Sequence, residues 1–169
     1  HMRHAAPHLL AHRGLYERER FTWTLAHRDF LASYATAPQP DVIFYDPFSA
    51  KTDGPLWTLA TFRALFAHLA KPVELFTYSA STAVRSSLLA AGFHVARGVP
   101  SGPKEETTIA LARPTPPLAH HARLGRAWLA RRARSSAPFA ADIPEDHRAA
   151  LERAIHGHAQ FTSADPPGE

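Results

Sequence analysis

Residues 41–57 read DVIFYDPFSAKTDGPLW. Positions 41–45 are a nearly continuous apolar run, the pattern of a strand buried on both faces of a parallel sheet. Asp46 ends the run directly, and Pro47 and Phe48 turn the chain out of the sheet. A carboxylate at the end of a buried strand is costly unless something pairs with it or binds it. The loop 47–55 follows. Then Leu56, Leu59, Phe62, Leu65, Phe66 and Leu69 recur at helical spacing through 56–70. Strand, loop and helix in this order are the start of an α/β unit.

Downstream the pattern repeats. Residues 73–78 (VELFTY) read as a strand and 81–91 as a helix stopped by Gly92. Two further strands, 93–99 and 107–112, have only the Gly/Pro loop 100–104 between them, so they form an antiparallel hairpin at the sheet edge. Upstream, 5–13 is a short helical piece ended by Gly14, 21–26 (FTWTLA) a strand, and 29–37 a helix that stops before Pro38. The fold class is α/β, a mostly parallel sheet with an antiparallel C-terminal hairpin and C-terminal helices. The organisation read from the chain is a sheet domain over 1–112, a Pro-rich linker at 113–119, a helical extension over 120–160 and a loose tail at 161–169. The extension holds a basic helix near 121–132 and a second helix at 144–155, with Glu145 and Asp146 in the latter's first turn.

The composition narrows the classes. The chain has 169 residues and no cysteine, which excludes disulfide scaffolds, thiolate zinc sites and cysteine nucleophiles. No apolar run approaches the roughly 18 residues of a membrane span, so a soluble, cytoplasmic protein with no membrane partner is expected. The net charge of +4 is uneven. Between residues 107 and 141 there is no Asp or Glu but six arginines: Arg113, Arg123, Arg126, Arg131, Arg132 and Arg134. Such a segment points to a polyanionic partner, or to a solvated helix face.

Ligands of open α/β sheets bind outside the carboxyl ends of the strands. Asp29, Asp46, and Ser79 with Ser81 follow three of the strands, which places two carboxylates and two hydroxyls on one rim. For Asp46 the alternative is a turn cap, and for Asp29 an N-cap of the next helix. Histidines recur as His4, His8 and His12, as the adjacent pair His120 and His121, and as His156 with His158. Pro7 interrupts the first set, and no set has a glutamate in the zinc-hydrolase arrangement, so no metal is expected.

The stretches DVIFYDPFSAKTDGPLW, ELFTYSASTAVRSSLLAAGFHVARG and GPKEETTIALA together resemble the MnmC-like methyltransferase family. The shared pattern is Asp46, Pro47, Phe48 and Trp57, then Tyr78 to Ser81, Val84 with Arg85, Ala91 to Phe93, and Gly102, Lys104 and Glu106. The segment WTLAHRDF (23–30) is similar to the family's Gly-Asp-Phe turn, with Arg28 in place of the Gly. The resemblance covers roughly residues 21–112. It implies a Rossmann-like class I methyltransferase that uses S-adenosylmethionine to methylate an aminomethyl group on the wobble uridine of tRNA. By it, Asp29 and Phe30 lie by the adenine of the cofactor. Asp46, with Pro47 and Phe48, lies at the methyl-transfer centre, where Asp46 is the catalytic residue. Ser79, Lys104 and Glu106 face the substrate.

The family also carries a glycine-rich strand-to-helix turn upstream, followed by an acidic residue for the ribose. Only twenty residues precede Phe21, and Gly14 is their single glycine. The resemblance therefore implies a partial sheet whose missing strands would come from a second chain or copy, and weak cofactor binding by these 169 residues alone. The alternative is a non-catalytic RNA-binding or scaffold remnant that uses the arginine segment. No dinucleotide fingerprint is present, so the flavin-dependent activity of bifunctional family members is not expected here.

Overall fold

The computed structural model describes residues 5–100, 105–114 and 120–162. It divides into two compact units, His1–Thr36 and Ala37–Glu169.

In the first unit, α1 (Ala5–Arg13) ends at Gly14, whose φ of 68° lets its N–H turn back to the Leu10 carbonyl at 2.9 Å. Strands β1 (Leu15–Arg18) and β2 (Phe21–Thr24) then pair antiparallel through a two-residue loop in which Glu19 takes a φ of 44°. Reading 21–26 as a strand was right, but its partner is β1, in a sheet of only two strands. Neither LYER nor the Glu-Arg turn carries the Asn-Gly type of signal that announces a hairpin. The segment read as one helix at 29–37 is a short helix α2 (Phe30–Ser33) followed by a 3₁₀ turn, Tyr34–Thr36.

The second unit is built on β3 (Val42–Phe44), β4 (Val73–Thr77), β5 (His94–Gly98) and β6 (Thr107–Ala112), in the order β3-β4-β6-β5. β3 and β4 are parallel, and β6 lies antiparallel to both β4 and β5. The antiparallel hairpin stands as expected, with β5 as the outer strand. Helices α3 (Leu59–His68) and α4 (Thr82–Ala91) connect the strands and pack on each other. Residues 54–57, read as loop and first helical turn, form a separate 3₁₀ turn before α3. Val73, Leu75 and Thr77 of β4 are buried, while Glu74 and Phe76 alternate to the other face. Gly92 ends α4 at φ 109°, and a Cβ there would sit 3.0 Å from the Phe66 ring, so both backbone and space require glycine.

Beyond the linker the chain returns to the sheet. Arg97 donates its N–H to the Ala122 carbonyl at 3.0 Å, and Leu124 donates to the Val95 carbonyl at 2.9 Å. Helix α5 (Arg126–Arg132) buries Trp128 and Leu129, so the apolar side of the basic helix is core. After α6 (Glu145–His156), α7 (Ala159–Thr162) brings Gln160 against β5. Gln160 Oε1 accepts the Val95 N–H at 2.6 Å, and its Nε2 donates to the carbonyls of Val95 and Leu124 at 2.8 and 2.7 Å. One side-chain amide thus supplies the edge strand with the partner a neighbouring strand would give.

Beside it, the rings of His94 and His158 meet edge-on at 4.9 Å. Burial, then His158 and Arg123, push His94 down to about 4, and burial also lowers His158 against the opposing effect of a Gly92 backbone hydrogen bond. Both are therefore neutral when folded, whereas the unfolded chain takes up protons near 6.5. Stability should be full above pH 6.5 and fall as the pH drops towards 4. The urea midpoint measured across that range should decline, and His94→Asn should flatten the decline.

Candidate functional site

In the parallel pair, Phe44 stands opposite Phe76, and Tyr45 donates its N–H to the Phe76 carbonyl at 2.8 Å. The carboxyl ends of β3 and β4 therefore stop side by side, and residues 46–48 and 78–79 leave the sheet together. Three side chains fix the turn. The Tyr78 hydroxyl donates to the Pro47 carbonyl at 3.1 Å, the Trp57 indole N–H donates to the Phe48 carbonyl at 2.7 Å, and Asp53 Oδ2 accepts the Phe48 N–H at 2.9 Å. Trp57 is itself buried among Tyr45, Phe62 and Tyr78, with ring centroids 5.6, 6.5 and 5.9 Å away. The Tyr45 hydroxyl donates to the Leu56 carbonyl, and burial, then Asp53, raise its pKa far above the usual phenol.

Asp46 is exposed, and among the described residues no hydrogen bond or ion pair holds its carboxylate. The turn cap weighed for it falls instead to Asp53, which the sequence reading had not singled out. Tyr78 is pushed up by burial and then by the charges of Asp46 and Asp53, which keeps its hydroxyl a donor beside the Asp46 carboxylate. Phe48 has both backbone groups fixed, yet its side chain is 75% exposed. An exposed aromatic face on an immobilised backbone is a stacking surface.

The other side of this rim is organised by Arg85. Its guanidinium is buried and makes three bonds: Nε to Thr108 Oγ1 at 2.9 Å, Nη2 to the Thr107 carbonyl at 2.8 Å and Nη1 to Glu106 Oε1 at 2.9 Å. Thr108 in turn donates to the Ser79 carbonyl at 2.6 Å. Ser81 caps α4 by accepting the Val84 N–H at 3.1 Å. An open depression of about 380 Å³ is lined by Ser79, Ala80, Ser81, Glu105 and Glu106. Ser79 and Glu106 thus line one depression. The Glu106 carboxylate, however, is anchored on Arg85, with its second oxygen 3.9 Å from Arg97 Nε. Lys104 lies outside the described residues.

Asp29 and Phe30 belong to the first unit. The strand before them, β2, is not in the sheet that carries Asp46 and Ser79, so the expectation of one shared rim for all four groups is corrected. Asp29 Oδ1 accepts the Ala32 N–H at 2.9 Å as the N-cap of α2. The Phe30 ring stacks on Tyr34 at 5.5 Å.

The residues 4–113 match the family model of an S-adenosyl-L-methionine-dependent methyltransferase. The chain belongs to that family. Its fold is similar to that of MNMC2 from Aquifex aeolicus, with a TM-score of 0.63 and 23% identity over 88% of this chain and 48% of that one. The chain spans about half the length of that solved structure. No curated protein matches the sequence.

The resemblance read from the motifs is borne out, and the methyltransferase match stops where the arginine segment starts. Arg113 and Arg132 are anchored within the fold, and Arg126 also donates to the Phe161 carbonyl at 3.5 Å. Arg113 donates to the Leu69 carbonyl at 2.8 Å and lies 5.6 Å from the Phe66 ring centre. Arg132 is buried, with Nε on Ser86 at 2.8 Å, Nη1 on Glu152 at 2.6 Å and its guanidinium over Phe139. Arg126, Arg131 and Arg134 are exposed. Among the described residues, no helix is long and apolar enough to cross a membrane.

For the methyltransferase cofactor, the rim fits the cationic end. The unpaired Asp46 carboxylate and the exposed Phe48 ring are the groups that a sulfonium or an ammonium attracts.

Proposed function

We propose that this methyltransferase acts on the wobble uridine of tRNA, methylating the nitrogen of an aminomethyl group with S-adenosylmethionine as the methyl source. The observation that carries the reading is the unpaired Asp46 carboxylate, held at the end of β3 on a turn clamped by Tyr78, Trp57 and Asp53. The cofactor supplies a methyl group on a sulfonium. Asp46 would orient the acceptor amine and take the proton that the amine gives up on methylation. Phe48 and Pro47 shape the cofactor's side of the rim. Ser79, Lys104 and Glu106 face the nucleoside. The exposed Arg126, Arg131 and Arg134 suit the tRNA backbone, and a tRNA substrate sets the protein in the cytoplasm.

The outer edge of β3 supports completion of the sheet by a second chain or copy. Val42 and Phe44 there are 46% and 81% exposed, and among the described strands only β4 pairs with β3. The same open edge favours the second reading, an RNA-binding remnant without transfer. The deciding experiment follows labelled methyl transfer to tRNA bearing the aminomethyl uridine, with calorimetry for cofactor and tRNA. Transfer should fall about 10²–10⁴-fold in Asp46→Asn with tRNA affinity unchanged. Cofactor affinity of the 169 residues alone should be weaker than micromolar. Bound tRNA with neither cofactor binding nor transfer would establish the remnant.

A further inference from the structure

The histidine pair that follows the linker meets a carboxylate from far away in sequence. Glu74 lies on the face of β4 opposite the buried Val73, Leu75 and Thr77, opposite Leu111 in the β4–β6 ladder. Its Oε1 is 2.8 Å from His121 Nε2, and the two side chains are only 19% and 14% exposed. The His121 ring also packs edge-on against Phe76 at 6.4 Å. His120 lies against His121 with ring centroids 4.0 Å apart. One ligand atom from each of Glu74, His120 and His121 lies within 4.8 Å of the others.

The Glu74–His121 contact brings one carboxylate oxygen and one imidazole nitrogen together, and His120 adds a second imidazole nitrogen at the same place. A divalent cation placed there would draw on all three groups at once, through one atom of each. The ligand types, two imidazole nitrogens and one carboxylate oxygen, suit a borderline-soft ion. Metal–ligand bonds of about 2.0–2.2 Å put tetrahedral ligand atoms about 3.4 Å apart. The cluster needs small side-chain adjustments to reach that spacing, and His120 stands at the surface.

We infer that Glu74, His120 and His121 form a binding site for a divalent transition-metal ion of the zinc type, which pins the segment after the linker to the face of β4. The site lies on the middle of the sheet, and its occupancy ties residues 120–124 to β4 beyond the Glu74–His121 pair and the Phe76–His121 ring contact. Three protein ligands leave a fourth position for water.

The test uses the full chain, stripped with a chelator, and zinc chloride as the probe, with cobalt(II) for its ligand-field absorption. Expected are saturable binding of one ion per chain, a rise in Tm on zinc addition, and tetrahedral cobalt bands. His120→Ala should weaken binding at least tenfold and remove most of the rise in Tm that zinc gives. Glu74→Gln should weaken it similarly. The idea is overturned by the absence of saturable binding at submillimolar zinc. It is equally overturned by binding that survives His120→Ala unaltered, or that disappears in the His8→Gln/His12→Gln variant instead.

Discussion

Arg85→Met is expected to lower the unfolding free energy by about 3 kcal/mol, read as a shift of the urea midpoint at constant m-value. The guanidinium is 2% exposed and supplies three hydrogen bonds at once. Methionine of similar length fills most of the space, so the loss is polar rather than steric. It leaves the Thr107 carbonyl and the inner Glu106 oxygen without their donor, at about 1–3 kcal/mol for each buried group left unpaired. Glu106 is 36% exposed, so water recovers part of its share, and the figure stays at the low end of what breaking a buried pair costs. Lysine should rescue little, because one ammonium cannot reproduce the three-way fork. The Ser79 end of the rim depends on the same network through Thr108, so cofactor-independent order around Ser79 should loosen together with stability. A midpoint shift worth less than about 1 kcal/mol would show that the network is dispensable.

Gln160→Leu should cost about 2–3 kcal/mol and should act locally first. The substitution removes the acceptor of the Val95 N–H and the donor to the Leu124 carbonyl, while the Val95 carbonyl keeps its bond from the Leu124 N–H. Two backbone groups are therefore orphaned in a site where Gln160 itself is 8% exposed. Hydrogen exchange should show the effect at the Val95 amide, with protection reduced up to about a hundredfold, the factor that matches about 2.7 kcal/mol. The centre of the sheet, at Leu75 and Ala110, should exchange slowly in both proteins. Equal protection at Val95 in wild type and variant would mean that α7 does not hold the edge strand.

Where the chain spelled out its structure, it did so through periodicity. The strand 107–112 was read with the bounds it has, and α4 and its Gly92 stop follow directly from an apolar helical face ended by a residue that tolerates positive φ. The hairpin of the last two strands followed from the missing helix between them. β1 escaped because half of LYER is charged and its turn lacks the usual residues, so only pairing with β2 makes it a strand. Of the site, Asp46 was legible because an acid directly after a buried strand is conspicuous. Its freedom was not legible, since that depends on Asp53 taking the turn N–H. The resemblance placed Glu106 at the substrate, and nothing in the sequence shows that it is also anchored on Arg85, 21 residues earlier. The arginine segment was legible as charge. That Arg113 and Arg132 are anchored within the fold depends on Leu69, Ser86 and Glu152.

By itself, the sequence determined the α/β order of elements, the place of the turn at 46–48 and membership of the methyltransferase family, because these rest on local spacing and short motifs. The tertiary structure alone decided which charges are free. Pairing energy depends on distance through space, and the partners of Arg85, Arg132, Gln160 and His121 stand 20 to 65 residues away along the chain. Asp46 was conspicuous in the sequence, but only the fold leaves it without a partner among the described residues.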